Sequence, residues 1–119
     1  MTLRGLTIAL ATAAALLGLG HSALAALLYP GWTINALWFV GTGLAMLIGA
    51  AANLIALGSA GGMSRGLIMI VNVAMTTFFV AAWPVLPEPQ VIVGGVLFLA
   101  LAACSVPRGV PPVRPNASN

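Results

Sequence analysis

The sequence predicts an all-α membrane protein, folded as an antiparallel bundle of four transmembrane helices with both termini in the cytoplasm. Of its 119 residues, 61% are hydrophobic and only 4% are charged, and the mean hydropathy is +1.14. The surface of a soluble domain normally carries about a quarter or more of charged residues, so we expect lipid to be the solvent of this chain. The apolar tracts lack the period-2 alternation of barrel strands, which leaves helices to cross the bilayer.

Four apolar tracts, separated by segments rich in glycine and proline, define the expected helices. Between about 17 and 25 apolar residues span a bilayer, and each tract reaches that length. The transmembrane domain then covers residues 1–106, with helices at about 5–29, 36–57, 66–83 and 90–106. Short connections place successive helices beside one another in antiparallel order.

Each expected helix boundary has a local signal. The first tract ends at Pro30, and either Thr33 or Asn35 is available as the N-cap of the second helix. Ser64 is available as the N-cap of the third helix. Pro89 opens the fourth helix at a position where a missing N–H costs nothing.

The two ends of the chain raise separate questions. Residues 107–119 are polar and rich in proline, which predicts a disordered cytoplasmic tail. Residues 1–25 have the format of a cleavable signal peptide, with Arg4 before an apolar core and a small-residue site that ends at Ala25. Because apolar sequence continues to Tyr29, we expect this segment to be retained as part of the first helix.

The arginines indicate the orientation of the bundle. Arg4, Arg65, Arg108 and Arg114 all fall on one side of a four-helix topology. The loops on the other side carry no Lys or Arg and lie close to aromatic residues. Because cytoplasmic loops are enriched in Lys and Arg, both termini are expected in the cytoplasm. The short chain and its richness in Ala and Gly favour a bacterial inner membrane.

The few polar residues inside the expected helices are the candidate ligand-binding groups. At about 1.5 Å per residue, His21 and Thr42 lie at similar depths, and so do Asn53 and Asn72. Thr76 lies one turn beyond Asn72. A cross-helix amide pair and a hydrogen bond from His21 to Thr42 are therefore expected, and these five residues form the hypothetical ligand site.

His21 has two interpretations. A buried ionisable group in a membrane suggests function, and an imidazole could contact haem or quinone, or relay a proton. A neutral imidazole hydrogen-bonded within the bundle explains the same residue more simply. No cofactor is therefore predicted, and haem or quinone at His21 stays as the alternative.

Small residues at helical spacing are expected to let the helices approach closely. The predicted packing positions are Gly18, Gly41, Ala45, Gly49, Gly94 and Gly95. Packing within one bundle is the favoured interpretation, and a dimer interface is the alternative.

The composition also limits the chemistry. One Glu, no Asp, one His and one Cys exclude carboxylate pairs, catalytic triads and multi-residue metal sites within one chain, so no catalytic or metal-binding residue is predicted. Scattered arginines do not form the cationic patch that nucleic acids require. The expected partners are the lipid bilayer and either a homo-oligomer or a larger membrane complex.

The expected function is that of a small integral membrane protein without intrinsic catalysis, acting as an accessory, scaffold or interaction subunit. The alternative is a small-molecule site within the bundle. In that case the protein is a carrier for a neutral or lipophilic solute, or a redox subunit that binds haem or quinone.

Overall fold

The fold is an all-helical bundle, seen in a computed structural model that describes residues 2–59 and 61–106. In chain order its helices are α1 (Leu3–Leu28), α2 (Ile34–Ala56), α3 (Gly62–Ala82) and α4 (Pro89–Ser105). The first three are long and apolar enough to cross a membrane, and α4 is a shorter apolar helix of 17 residues. The four-helix membrane bundle predicted from the sequence is confirmed.

The two ends of the bundle differ in composition. α1 and α3 begin at one end, which carries Arg4 and Arg65 and is called the arginine end. α2 and α4 begin at the other end, which carries Tyr29, Trp32 and Trp83 and is called the aromatic end. These names describe the molecule without assigning a side of the membrane to either end.

The distribution of side chains is the reverse of that in a soluble bundle. Large aliphatic side chains point outwards: Leu16, Ile48 and Val80 are 64%, 69% and 67% exposed. The buried positions instead include small residues such as Ala14, and Asn72 is fully buried. Apolar side chains gain little from leaving lipid for a protein interior, so this distribution fits a bundle surrounded by hydrocarbon.

α1 and α2 pack most closely, through glycines on both helices. A Cβ atom added to Gly18 would lie 2.7 Å from the carbonyl oxygen of Gly43 and 2.9 Å from Cβ of Met46. A Cβ added to Gly43 would lie 2.6 Å from the carbonyl oxygen of Gly18. Such distances are far inside van der Waals contact, so the two backbones touch only because both residues lack a side chain.

Phenylalanine side chains pack against glycines of α4 and against Gly49 of α2. Phe79 of α3 lies against Gly94 and Gly95, where added Cβ atoms would come within 2.6 Å and 3.3 Å of it. Phe98 of α4 lies against Gly49 of α2, at 2.8 Å from an added Cβ. The rings of Phe79 and Phe98 stack with centroids 6.1 Å apart, in the centre of the core.

One of the predicted packing positions, Gly41, does not pack against another helix in the structure. Gly41 is exposed, and a Cβ added there would have no neighbour within 4 Å, so Gly43 and not Gly41 makes the contact with α1. Ala45 is half-buried.

The helix boundaries follow the sequence signals except at α3. Thr33 caps α2, accepting a hydrogen bond of 3.2 Å from the amide of Ala36, and Pro89 opens α4. α3 begins at Gly62 and not near residue 66, and Ser64 lies inside the helix instead of capping it. The cap is Gly61, a residue type tolerated at N-caps. The predicted tail, residues 107–119, lies outside the described residues.

The contact between Gly18 and Gly43 predicts a matched pair of variants. Gly43→Ala should force α1 and α2 apart and destabilise the bundle by about 1–3 kcal/mol, the usual cost of overpacking. Gly41→Ala adds the same methyl group on the same helix but into open space, so it should cost nothing. Unfolding in detergent micelles, followed by circular dichroism during titration with dodecyl sulfate, measures both. Equal stability of the two variants would contradict the close approach of the backbones.

Candidate functional site

A cluster of polar side chains lies in the core near the arginine end. The side-chain amide of Asn53 on α2 donates to Oδ1 of Asn72 on α3 at 2.7 Å, and Asn72 donates back to Oδ1 of Asn53 at 2.9 Å. Asn72 also donates to Oγ of Ser105 on α4 at 3.1 Å. We call these three residues the asparagine cluster. It joins three helices, and it contains the cross-helix amide pair expected from depth alone.

Every side-chain donor of the asparagine cluster has an acceptor. The second N–H of Asn53 donates to the carbonyl oxygen of Gly49 at 2.8 Å, and the hydroxyl of Ser105 donates to the carbonyl oxygen of Leu101 at 2.8 Å. Each side-chain amide carries two N–H bonds, so the four amide hydrogens and the hydroxyl hydrogen are all used. A buried polar group without a partner is costly, and this cluster avoids that cost completely.

The predicted site residue Thr76 lies beside the cluster without entering it. Its hydroxyl donates to the backbone carbonyl of Asn72 at 2.8 Å, within its own helix. Ser105 was not among the predicted site residues, although it lies four residues beyond Leu101 on the last turn of α4. The asparagine cluster therefore provides hydrogen bonds between helices, and few of its polar groups remain available to a ligand.

A cavity of about 450 Å³ opens at the aromatic end, and we call it the aromatic-end cavity. All four helices contribute to its walls, with Phe39, Phe78 and Phe79 among the aromatic residues. The polar side chains in its lining are His21, Tyr29, Asn35, Thr42 and Gln90. This cavity lies at the end of the bundle opposite the asparagine cluster.

His21 and Thr42 both line the aromatic-end cavity, but the hydrogen bond expected between them is absent from the described residues. The hydroxyl of Thr42 donates to the carbonyl oxygen of Trp38 at 3.0 Å. The imidazole of His21 stacks on the ring of Phe39, with centroids 3.6 Å apart and an angle of 19° between the planes. Tyr29 meets the same phenylalanine edge-on, at 5.7 Å. An aromatic stack therefore positions His21 at the wall of the cavity.

A second cavity, also of about 450 Å³, lies next to the aromatic-end cavity, and we call it the lateral cavity. It shares His21, Phe39 and Gln90 with the aromatic-end cavity. Its remaining walls include Leu16 and Leu28, which are 64% and 58% exposed on the surface of α1. The lateral cavity therefore connects the lining of the aromatic-end cavity with the surface that faces lipid.

The described residues contain no group of three or more His, Cys, Asp or Glu side chains placed to hold a metal ion. His21 and Met46 are residue types that ligate haem iron, and both line the aromatic-end cavity. The remaining polar groups of that cavity are amides and hydroxyls, which bind organic ligands through hydrogen bonds.

No protein-family model, no curated protein and no solved structure matches the chain.

The asparagine cluster predicts coupled effects of substitution. Asn53→Leu and Asn72→Leu should each destabilise the bundle by about 0.6–2 kcal/mol, the range for such hydrogen bonds in membranes. The double variant should lose less than the sum, because the first change already removes the shared bonds. Asn35→Leu, at an exposed position near the start of α2, is the control and should leave stability unchanged. Unfolding in detergent micelles gives the stability of the four variants, and full additivity would mean that the two amides do not interact.

Proposed function

We propose that the protein is a multi-pass membrane protein that binds a neutral lipophilic molecule with a flat polar head in its aromatic-end cavity. The observation that carries this proposal is the cavity itself, which is walled by all four helices and lined by both aromatic rings and polar groups. Its volume of about 450 Å³ falls within the range of about 300–1,000 Å³ typical of small-molecule sites.

The chemistry of the lining favours a neutral ligand. Asn35 and Gln90 present amides, Thr42 presents a hydroxyl, and His21 presents an imidazole. These groups hydrogen-bond to carbonyl or hydroxyl groups and carry no fixed charge that would attract an ion. Aromatic walls, with Phe39 already stacked on His21, suit a flat ring. A quinone is one member of this ligand class.

The route of entry favours a lipophilic ligand. The lateral cavity reaches the lipid-facing surface of α1 and shares its inner wall with the aromatic-end cavity. A molecule dissolved in the bilayer can approach between α1 and α4 without crossing water. A ligand that carries an alkyl tail could leave the tail in the lateral cavity and place its head beside His21.

We propose binding rather than chemical conversion as the activity, since the polar lining is made of hydrogen-bonding groups. The protein would then act as an accessory subunit or a carrier for this ligand. A role as a scaffold, with partners of the same or another chain, stays a prediction from the sequence.

We propose that the arginine end faces the cytoplasm of a bacterial cell and that the membrane is the inner membrane. The support is the distribution of arginines and aromatic residues, because Lys and Arg are enriched on the cytoplasmic side. The aromatic-end cavity would then open in the outer leaflet.

Decylubiquinone, a neutral flat ring on an alkyl chain, is a probe for the ligand class. In a variant with Trp32→Phe and Trp83→Phe, the remaining Trp38 lines the cavity, so the probe should quench its fluorescence along a saturable curve. A variant with Trp38→Phe and Trp83→Phe keeps Trp32, in the connection between α1 and α2, and should show only linear collisional quenching. Linear quenching of both proteins would contradict a binding site.

His21→Phe tests the polar contact within the same assay. The variant keeps a ring stacked on Phe39 but lacks the nitrogens, so affinity for decylubiquinone should fall up to about tenfold, the value of one hydrogen bond of about 1–1.5 kcal/mol. Thr77→Val is the control, because Thr77 is exposed on α3 and its hydroxyl donates to Val73 of its own helix. Unchanged affinity of His21→Phe would remove His21 from the site.

The proposed orientation predicts the labelling of single cysteines in intact cells. With Cys104→Ala as background, cysteines at positions 31 and 88 should react with a membrane-impermeant maleimide from outside. A cysteine at position 119 should react only after the membrane is opened. External labelling at position 119 would reverse or abolish the proposed topology.

A further inference from the structure

A third cavity lies at the arginine end, opposite the proposed ligand site. It has a volume of about 290 Å³, and residues near the start of α1 and α3 and near the end of α2 and α4 form its walls. Arg4 and Arg65 both belong to its lining, one from α1 and the other from α3. The fold therefore brings together two cations that are 61 positions apart in the sequence, since 65 − 4 = 61.

The arginine-end cavity is lined by positively charged side chains and by no carboxylate. The only carboxylate side chain of the chain, that of Glu88, lies at the aromatic end, next to the lateral cavity. Arg4 and Arg65 place two positive charges at one cavity, and like charges repel. The sequence supplies no acidic side chain near them. An anion between the two arginines would relieve this repulsion.

The floor of the arginine-end cavity is neutral and well held. Asn53 and Ser105 line it, and both are already committed to the asparagine cluster. Thr7 adds a hydroxyl on α1, which donates to the carbonyl oxygen of Leu3 at 3.0 Å and keeps its lone pairs for other contacts. Arg4 and Arg65 are exposed, whereas Asn53 and Ser105 are buried and held by hydrogen bonds, so the arginines are the groups available to a ligand.

We propose that the arginine-end cavity binds a phosphate group between Arg4 and Arg65. A guanidinium presents paired N–H donors whose geometry matches two oxygens of one phosphate. The volume of about 290 Å³ is at the low end for ligand sites and suits a head group rather than a whole lipid. The phosphate belongs either to a phospholipid at the membrane surface or to a soluble phosphomonoester, since both present the same group.

Native mass spectrometry of the full-length protein in detergent tests this proposal, with phosphatidic acid and diacylglycerol as the probes. The two lipids share their acyl chains and differ only in the phosphate. We expect one phosphatidic acid to be retained at least tenfold more strongly than diacylglycerol. The variant Arg4→Gln/Arg65→Gln should lose this preference, and Arg4→Lys/Arg65→Lys should keep only part of it, because lysine retains the charge without the paired donors.

The matched control is Arg108→Gln/Arg114→Gln, which removes the same number of positive charges at positions beyond the described residues and should keep the preference. Adding glycerol 3-phosphate separates the two sources: displacement of the lipid assigns the site to the phosphate alone, and lack of displacement assigns it to a phospholipid. Circular dichroism checks that each variant keeps its helices. Equal retention of the two lipids by the wild type, or equal losses in both glutamine variants, would overturn the proposal.

Discussion

The reciprocal hydrogen bonds between Asn53 and Asn72 are the interaction on which the rest of the bundle depends. In hydrocarbon, apolar side chains gain little by packing on each other instead of on lipid, so helices are held by close contact and by hydrogen bonds. The α1–α2 hairpin has its glycine contact, and the α3–α4 hairpin has Phe79 against Gly94. The amide pair connects one hairpin to the other, and both of its side chains are buried.

The two ends of the bundle differ in the residues that line them. Near the asparagine cluster, Phe98 fills the space beside Gly49. Toward the aromatic end, Phe39 and Phe78 line a cavity together with polar side chains. The same four helices thus form a cavity of aromatic and neutral polar residues at one end and a cavity lined by two arginines at the other.

The sequence predicts the helices and the amide pair well, because both depend on quantities that a sequence contains. Apolar length determines the number of helices, and depth along a helix is proportional to residue number. Rotation about the helix axis is harder to predict. Residues four positions apart are rotated by roughly 40° from one another about the helix axis. Gly41 is therefore rotated by about 120° from Asn53, and Gly49 by only about 40°. This drift moves Gly41 off the face that carries Asn53, and Gly41 is exposed. Gly43, which is not part of that series of every fourth residue, makes the contact with α1.

Two further differences have equally local causes. His21 and Thr42 have similar depths, but depth does not reveal that Phe39 lies closer to the imidazole and stacks on it. Ser105 lies within the fourth helix expected from the sequence, at residues 90–106, and it is the last residue of α4. Its hydroxyl accepts from Asn72 on α3, a contact that depends on the rotation of α4 against α3, which the sequence does not specify.

Nuclear magnetic resonance of the side-chain amides tests the central claim most directly. The chain has five asparagines, Asn35, Asn53, Asn72, Asn116 and Asn119, so protein labelled with ¹⁵N at asparagine in micelles gives a simple spectrum. The structure predicts that two of the five side-chain amides show a nuclear Overhauser effect to each other and exchange slowly with solvent. In Asn53→Leu the Overhauser effect should disappear, and the remaining Asn72 amide should exchange faster. Rapid exchange of all five side-chain amides would contradict a buried amide pair as the link between the hairpins.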